Sequence, residues 1–360
     1  MGNSKLPTLQ FGKDKDFEKE LHRRVNEYFR NSGTPVTAPP GMYFKSFLVL
    51  SFFAATYLTS VFLVDTLWGA FLTAPLLGFA VVGIGVNIQH DASHKAYSKH
   101  GLVNRTLAMT LDIIGAGSYF WRWKHNRFHH TFTNIAGFDT DIDFGFLGRI
   151  APSGKRLWFH RRQHLYMWFL YALFAVKWHV FDDFRSVIRG RLGNHRIPRP
   201  GGLDLAGFIA GKAAFLSLAF VIPSLFHPLG NVVLFYLGTM SVAGFTLSLI
   251  FIMPHTAGES EFPRPDEDTG RIANPRAVHQ CRVTVDFLRS NPVATWLVGG
   301  LNFHREHHLF PRICHMHYRK IAPIVDEVCE KYGVPHVDHK SYWAGLRSHY
   351  HWLREMGSTS

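Results

Sequence analysis

Residues 213–253 read "AAFLSLAFVIPSLFHPLGNVVLFYLGTMSVAGFTLSLIFIM" and contain no Asp, Glu, Lys or Arg. A helix needs about 20 apolar residues to cross a bilayer, so this run has room for two crossings. His227–Asn231 interrupts it, which places expected spans at 206–226 and 231–253. The same pattern occurs upstream: no charge lies between Lys45 and Asp65, and none between Asp65 and His90. These runs give expected spans at 46–64 and 68–88, turning at Asp65–Trp68. Buried core helices of a large soluble protein are the competing reading, and charge-free runs of this length argue against it.

The four spans form two hairpins with very short turns, while the other connections are long and basic. Residues 88–203 include Lys95, Lys99, Arg105, Arg122, Lys124, Arg127, Arg149, Lys155, Arg156, Arg161 and Arg162. Positive residues favour the cytoplasmic side, so both termini and the large loops are expected there. Lys212 can snorkel to the same face. The net charge of +13 is then matched to anionic headgroups. No groove-reading module stands apart from the apolar segments, which argues against a nucleic-acid partner. The cysteines Cys281, Cys314 and Cys329 show no CxxC spacing and are expected as free thiols.

Residues 16–31 place Phe17, Leu21, Val25, Tyr28 and Phe29 on one helical face, ended by Gly33. This amphipathic helix suits either the membrane surface or the cytoplasmic body. Residues 104–120 are apolar but carry Asp112, as in a partly embedded or re-entrant helix. Residues 153–192 mix basic and aromatic side chains, as an interfacial helix does. Residues 256–275 read as loop, and 279–298 and 316–332 as helices. The expected organisation is an N-terminal tail with its helix at 1–40, a membrane domain at 41–335 and a C-terminal tail at 336–360. The fold class is an all-α integral membrane protein, with four transmembrane helices in two hairpins and a cytoplasmic helical cap over a dimetal site.

The dimetal expectation comes from the histidines. "QHDASH" holds His90 and His94 at i, i+4. "WKHNRFHHTFTN" holds His125, His129 and His130. "MPHTAGESEFP" holds His255. "GGLNFHREHHLFP" holds His304, His307 and His308, which share one helical face. All four groups fall on the same membrane face in a topology that was set by charge alone. One ion takes fewer ligands than nine, so the set suits two metals. Imidazole serves Fe, Cu, Zn or Ni. Ligating rings must be neutral, so binding is expected to fail in acid below the ordinary imidazole pKa of about 6.5. Asp91 and Glu306 lie inside the boxes and are the favoured acceptors for the outer ring N–H groups. Asp139, Asp141, Asp143, Glu259 and Glu261 are equally readable as surface acids. His279, His315 and His317 lie close to the boxes but off their spacing.

The three boxes "HDASH", "HNRFHH" and "HREHH", in this order around two apolar hairpins, resemble the histidine boxes of the integral-membrane fatty acid desaturases. The resemblance covers roughly residues 40–335. "GGLN" before the third box and "LFPRICHMHYRKIAPIVDEVCEKYGVPH" after it resemble the front-end, linoleoyl-CoA-desaturase-like group. By that resemblance His90, His94, His125, His129, His130, His304, His307 and His308 ligate a diiron centre, and His255 matches a further family ligand. The family uses O2 as co-substrate, with two electrons from ferredoxin or from cytochrome b5 with its reductase, to desaturate an acyl-CoA or acyl-lipid. Front-end members usually carry Gln where this chain has His304. Many also carry a fused cytochrome b5 domain with an HPGG motif; the segment ahead of the first hairpin is short and lacks one, so a separate donor is expected. Tyr119, Phe120, Trp121 and Trp123 flank the second box as candidates for the wall of an acyl tunnel. The rival readings are a histidine-box oxygenase (an acyl or alkane hydroxylase, or a carotenoid oxygenase) and, more remotely, a membrane metal transporter, whose ligands would line a pore at bilayer depth.

Overall fold

A computed structural model describes residues 9–358. Four of its helices are long and apolar enough to cross a membrane: Pro40–Phe62 (α1), Leu67–Ser93 (α2), Gly202–Ser224 (α3) and Leu229–His255 (α4). Each overlaps its expected span: α2 and α4 run past both ends of it, while α1 and α3 start earlier and stop two residues short. Phe44, Phe47, Phe71, Leu72 and Leu234 are exposed on these helices. In water such a surface would be a large liability; in hydrocarbon it is the ordinary outer face. The chain is an integral membrane protein.

The spanning helices approach closely where side chains are small. A Cβ added at Gly78 in α2 would lie 2.7 Å from the Thr239 carbonyl in α4. One added at Gly244 would meet backbone atoms of Tyr171, Ala172 and Ala175 at 2.9 Å. The latter belong to helix Gln163–Lys177, the interfacial helix of the sequence reading. It packs against α4 and buries Met167 and Tyr171 fully.

A helical cap sits beyond one end of the spans. Its first helix, Asp16–Ser32, buries Phe17, Leu21, Val25 and Phe29 and stops at Gly33 in the left-handed region. Those side chains share a core with Ile321, Val325 and Val328 of helix Tyr318–Lys331. The amphipathic helix therefore covers the cap, each buried side chain contributing roughly 1.5–3 kcal/mol.

Three stretches differ from expectation. Residues 279–298 are not one helix. They divide into helix Arg276–Arg282, strand Val285–Phe287 and helix Pro292–Leu297. The β-branched "VTV" favours extension, and Asn291 restarts a helix by accepting from the Val293 and Ala294 amides, both at 3.0 Å. Residues 104–120 break into Gly101–Ala108, Thr110–Ile113 and a new helix from Ser118. Residues 336–360, expected as a tail, are tied down as far as described. Strand Val337–His339 pairs in parallel with Val285–Phe287, and helix Tyr342–Ser358 follows.

Candidate metal centre

Each histidine group is carried by the end or the widening of a helix. Helix α2 loosens into a π turn at Ile84–Gln89 just before His90. The second box lies on another π stretch, Arg122–His129. Hydrogen bonding from i to i+5 brings residues four and five apart onto one side, which suits His125, His129 and His130. His255 closes α4 in a single tight turn, Met253–His255. The third box forms the short helix His304–Leu309. Gly299 (φ 63°) and Gly300 (φ 69°) lead into it. A Cβ at Gly299 would lie 2.2 Å from the Val86 carbonyl, so only glycine lets this loop touch the end of α2.

These elements bring all nine expected histidines together, each nearly or fully buried. Potential ligand atoms of His90, His94, His125 and His307 lie within 4.8 Å of one another, as do those of His129, His255 and His308. His130, His307 and His308 form a third such set bridging the two. His304 joins the second group, its Nε2 being 2.8 Å from His255 Nε2. Other inward contacts are His90–His125 and His130–His125 at 3.2 Å and His129–His255 at 3.1 Å, all Nε2 to Nε2.

The opposite ring nitrogens are held from outside. His129 Nδ1 donates to Asp139 at 3.1 Å, His255 Nδ1 to the Val283 carbonyl at 3.1 Å and His304 Nδ1 to the Leu301 carbonyl at 3.0 Å. His307 Nδ1 reaches the Tyr318 hydroxyl at 3.2 Å, and His308 Nδ1 donates to Gln280 Oε1 at 2.9 Å. A ring that donates through Nδ1 to a carbonyl or carboxylate keeps a lone pair on Nε2. The centre is therefore a cage of inward lone pairs. The buried Nε2 atoms of His94, His307 and His308 have no hydrogen-bond partner. Buried polar atoms left unpaired are costly, and a divalent cation is the partner that would satisfy several at once. The donor set fits metal ions that accept imidazole.

Burial sets the charge state. It pushes the titration of His125, His130, His307 and His308 well below the ordinary imidazole range, and that of His94 and His304 down to about 3. His129 is the exception: burial opposes its charge, but Asp139 and Asp141 outweigh burial and the net direction is upward.

The acids favoured from sequence face elsewhere. Asp91 accepts from His315 Nδ1 at 2.8 Å, and His315 Nε2 in turn meets Lys45 Nζ at 2.9 Å. Glu306 accepts from Arg305 at 2.8 Å, within an ion network that includes Asp286, Arg289 and Asp326. Neither takes a ring N–H from a box histidine: Asp91 is engaged by His315, and Glu306 by Arg305 with Arg289 nearby. The supporting role goes instead to Asp139, one of the acids that read equally as surface charge, and to Gln280 and Tyr318. No spacing marks the last two, which come from separate helices. His279 hydrogen-bonds the Thr133 carbonyl at 2.9 Å and His317 the Thr37 carbonyl at 3.2 Å.

Among the four aromatic candidates, Trp121 meets the centre. Its ring stacks on His125 with centroids 4.3 Å apart. Phe251, which the sequence reading passed over, lies 5.9 Å from His90 and 5.8 Å from His125. The Tyr119 hydroxyl donates to the Pro198 carbonyl at 2.8 Å, Phe120 packs on Phe208 and Trp123 on Phe128.

A membrane-embedded helical body around a buried polyhistidine cage, whose rings burial disfavours charging except at His129, suits one class: membrane metalloenzymes that act on apolar substrates. Comparison with known proteins narrows it. The family model for "Fatty acid desaturase" matches residues 66–340. The chain is 38% identical over 350 residues to the sn-1 linoleoyl-lipid 6-desaturase of Arthrospira platensis, covering 97% of this chain and 94% of the relative. It is 32% identical to the protein of the same name from Synechocystis sp. (strain ATCC 27184 / PCC 6803 / Kazusa), covering 98% of each. It is also 32% identical to an acyl-lipid (8-3)-desaturase of Physcomitrium patens, covering 99% of this chain and 75% of that one. The chain belongs to the fatty acid desaturase family. It is an oxidoreductase that introduces a carbon–carbon double bond into an acyl chain, so the hydroxylase, carotenoid oxygenase and transporter readings fall away.

Proposed function

We propose that this chain desaturates an acyl chain esterified to a membrane glycerolipid, near its carboxyl end, with two iron ions held by the nine histidines. The observation that carries this reading is the cage itself, with its Nε2 lone pairs turned inward and five Nδ1 atoms tied outward. His90, His94, His125 and His307 would hold one ion and His129, His255, His304 and His308 the other, with His130 between them. Iron bound there would supply the oxidising power that an unactivated C–H bond demands. The overall reaction balances as one –CH2–CH2– unit, O2, two electrons and two protons giving –CH=CH– and two waters.

The protein's own contribution is position and dryness. Gln280, Tyr318 and Asp139 fix ring orientation, and Trp121 and Phe251 form an apolar wall beside His125. A lipid-linked substrate, and linoleoyl with the new bond at position 6 in particular, is supported by the names of the two relatives matched over nearly their full length. The electron donor is a separate protein, ferredoxin or cytochrome b5, meeting the basic cytoplasmic face that also carries both termini and the centre; an acidic donor suits that charge.

The test is expression in a host membrane supplied with linoleoyl lipids and ferredoxin, with fatty acids profiled by mass spectrometry. A triene with a new bond at carbon 6, absent from a His307→Ala/His308→Ala control, is expected. A double bond elsewhere would overturn the regiochemistry. Folded protein that takes up no iron would overturn the metal assignment.

A further inference from the structure

A groove of about 580 Å³ lies between the C-terminal helix Tyr342–Ser358 and the outer face of α4. Phe245 and Leu249 of α4, with Trp168, form one wall; Trp343, Leu346 and Tyr350 form the other. Arg347 is the one charged residue lining it. At 1.5 Å per residue, Leu249 sits about 9 Å and Phe245 about 15 Å from the His255 end of α4. The apolar wall therefore runs from the headgroup boundary toward the middle of a hydrocarbon core roughly 30 Å thick. Arg347 is exposed, and no carboxylate pairs with it among the described residues; its hydrogen bond runs from Nε to His351 Nε2 at 3.4 Å. Trp343, exposed beside it, is the kind of side chain that settles at the membrane interface.

We propose that this groove holds one acyl chain of an anionic glycerophospholipid from the surrounding leaflet, with the lipid phosphate on Arg347. The shape and charge match that ligand: an apolar slot continuous with a spanning helix, topped by a cation at headgroup level. The ligand is not the substrate. Leu249 and Phe251 are two residues apart and so about 200° apart around α4. Phe251 faces His90 and His125, so the groove opens away from the histidines. Its occupant braces the helix that steadies the chain after His255. In that helix Ser348 Oγ accepts from the Gly258 amide at 2.9 Å, and His349 donates to the Thr256 carbonyl at 2.8 Å while meeting the Tyr171 hydroxyl at 2.9 Å.

The purified full chain, delipidated in a neutral detergent, is titrated with phosphatidylglycerol or phosphatidylcholine and followed by native mass spectrometry and thermal unfolding. One phosphatidylglycerol per chain is expected, held about fivefold more tightly than phosphatidylcholine. Arg347→Gln should erase that preference and Arg347→Lys should keep it. Equal retention of both lipids would overturn the proposal. So would a preference unchanged in Arg347→Gln, or a dimer that covers the groove and retains no lipid. No turnover is measured, so the outcome is independent of the desaturase reading.

Discussion

Tyr318 shows how much of the centre depends on residues that never face the cage. Its buried hydroxyl meets His307 Nδ1 at 3.2 Å, and His307 belongs to two of the three all-histidine sets in which ligand atoms converge. Tyr318→Phe keeps the ring and removes that oxygen. Loss of such outer partners costs about 10–100-fold in metal affinity. A loss in that range is expected in iron titrations of purified protein, with circular dichroism unchanged. A variant that binds iron like the parent would show that the helix alone orients His307. Acidity acts at the same scale. His94 and His304 titrate near 3 in the fold against about 6.5 in an unfolded chain. Below about 6.5 the unfolded state gains protons that the folded state refuses, so their stabilising effect is complete above that pH and erodes as pH falls toward 3. Metal-free protein should therefore melt at progressively lower temperature from pH 7 to pH 4.5. The sequence alone suggested that ligand protonation ends binding near pH 6.5. Burial moves that limit lower and makes unfolding the first failure in acid. A melting temperature that does not change with pH would contradict this.

At the scale of elements, the Gly299–Gly300 turn sets the third box against α2. Gly299→Ala would force a side chain into a left-handed residue and onto the Val86 carbonyl. Strain of this kind costs about 1–3 kcal/mol, and the contact must also open, which shifts His304 and His307 away from His90. Lower iron content and a lower melting temperature are expected together; a variant matching the parent in both would show that the close approach is unimportant. The sequence made some elements plain and hid others. Charge-free runs marked all four spanning helices, because a charge facing hydrocarbon is costly over the whole length of a span. Histidine spacing marked the cage, because ligands on one helix must share a face. Gln280, Tyr318 and the carbonyls of Val283 and Leu301 left no such trace. Their partners are distant in the chain, and a carbonyl has no side chain to read. Residues 342–358 looked like a tail because Arg and His interrupt their apolar face, yet Trp352, Leu353 and Met356 are buried.

At the scale of the molecule, the two hairpins leave the cage at one end of the spans, beside the basic loops. A reporter that fluoresces only in the cytoplasm should be bright when fused after Ser360. One that is active only outside should be silent there and active in the Asp65–Trp68 turn. The reverse pattern would invert the membrane orientation and with it the side from which electrons arrive. The anchoring of His255 and His304 by main-chain carbonyls bears on how such a protein tolerates genetic drift. Every residue type presents the same carbonyl, so substitutions at Val283 or Leu301 leave those two supports chemically unaltered. A deep mutational scan should register the two histidines as sensitive, and at the fully buried Val283 and Leu301 it should read side-chain packing, not the carbonyls that hold the rings. The hydrogen-bonding part of the scaffold is thereby independent of side-chain identity and is lost through insertions, deletions or packing changes that shift the backbone.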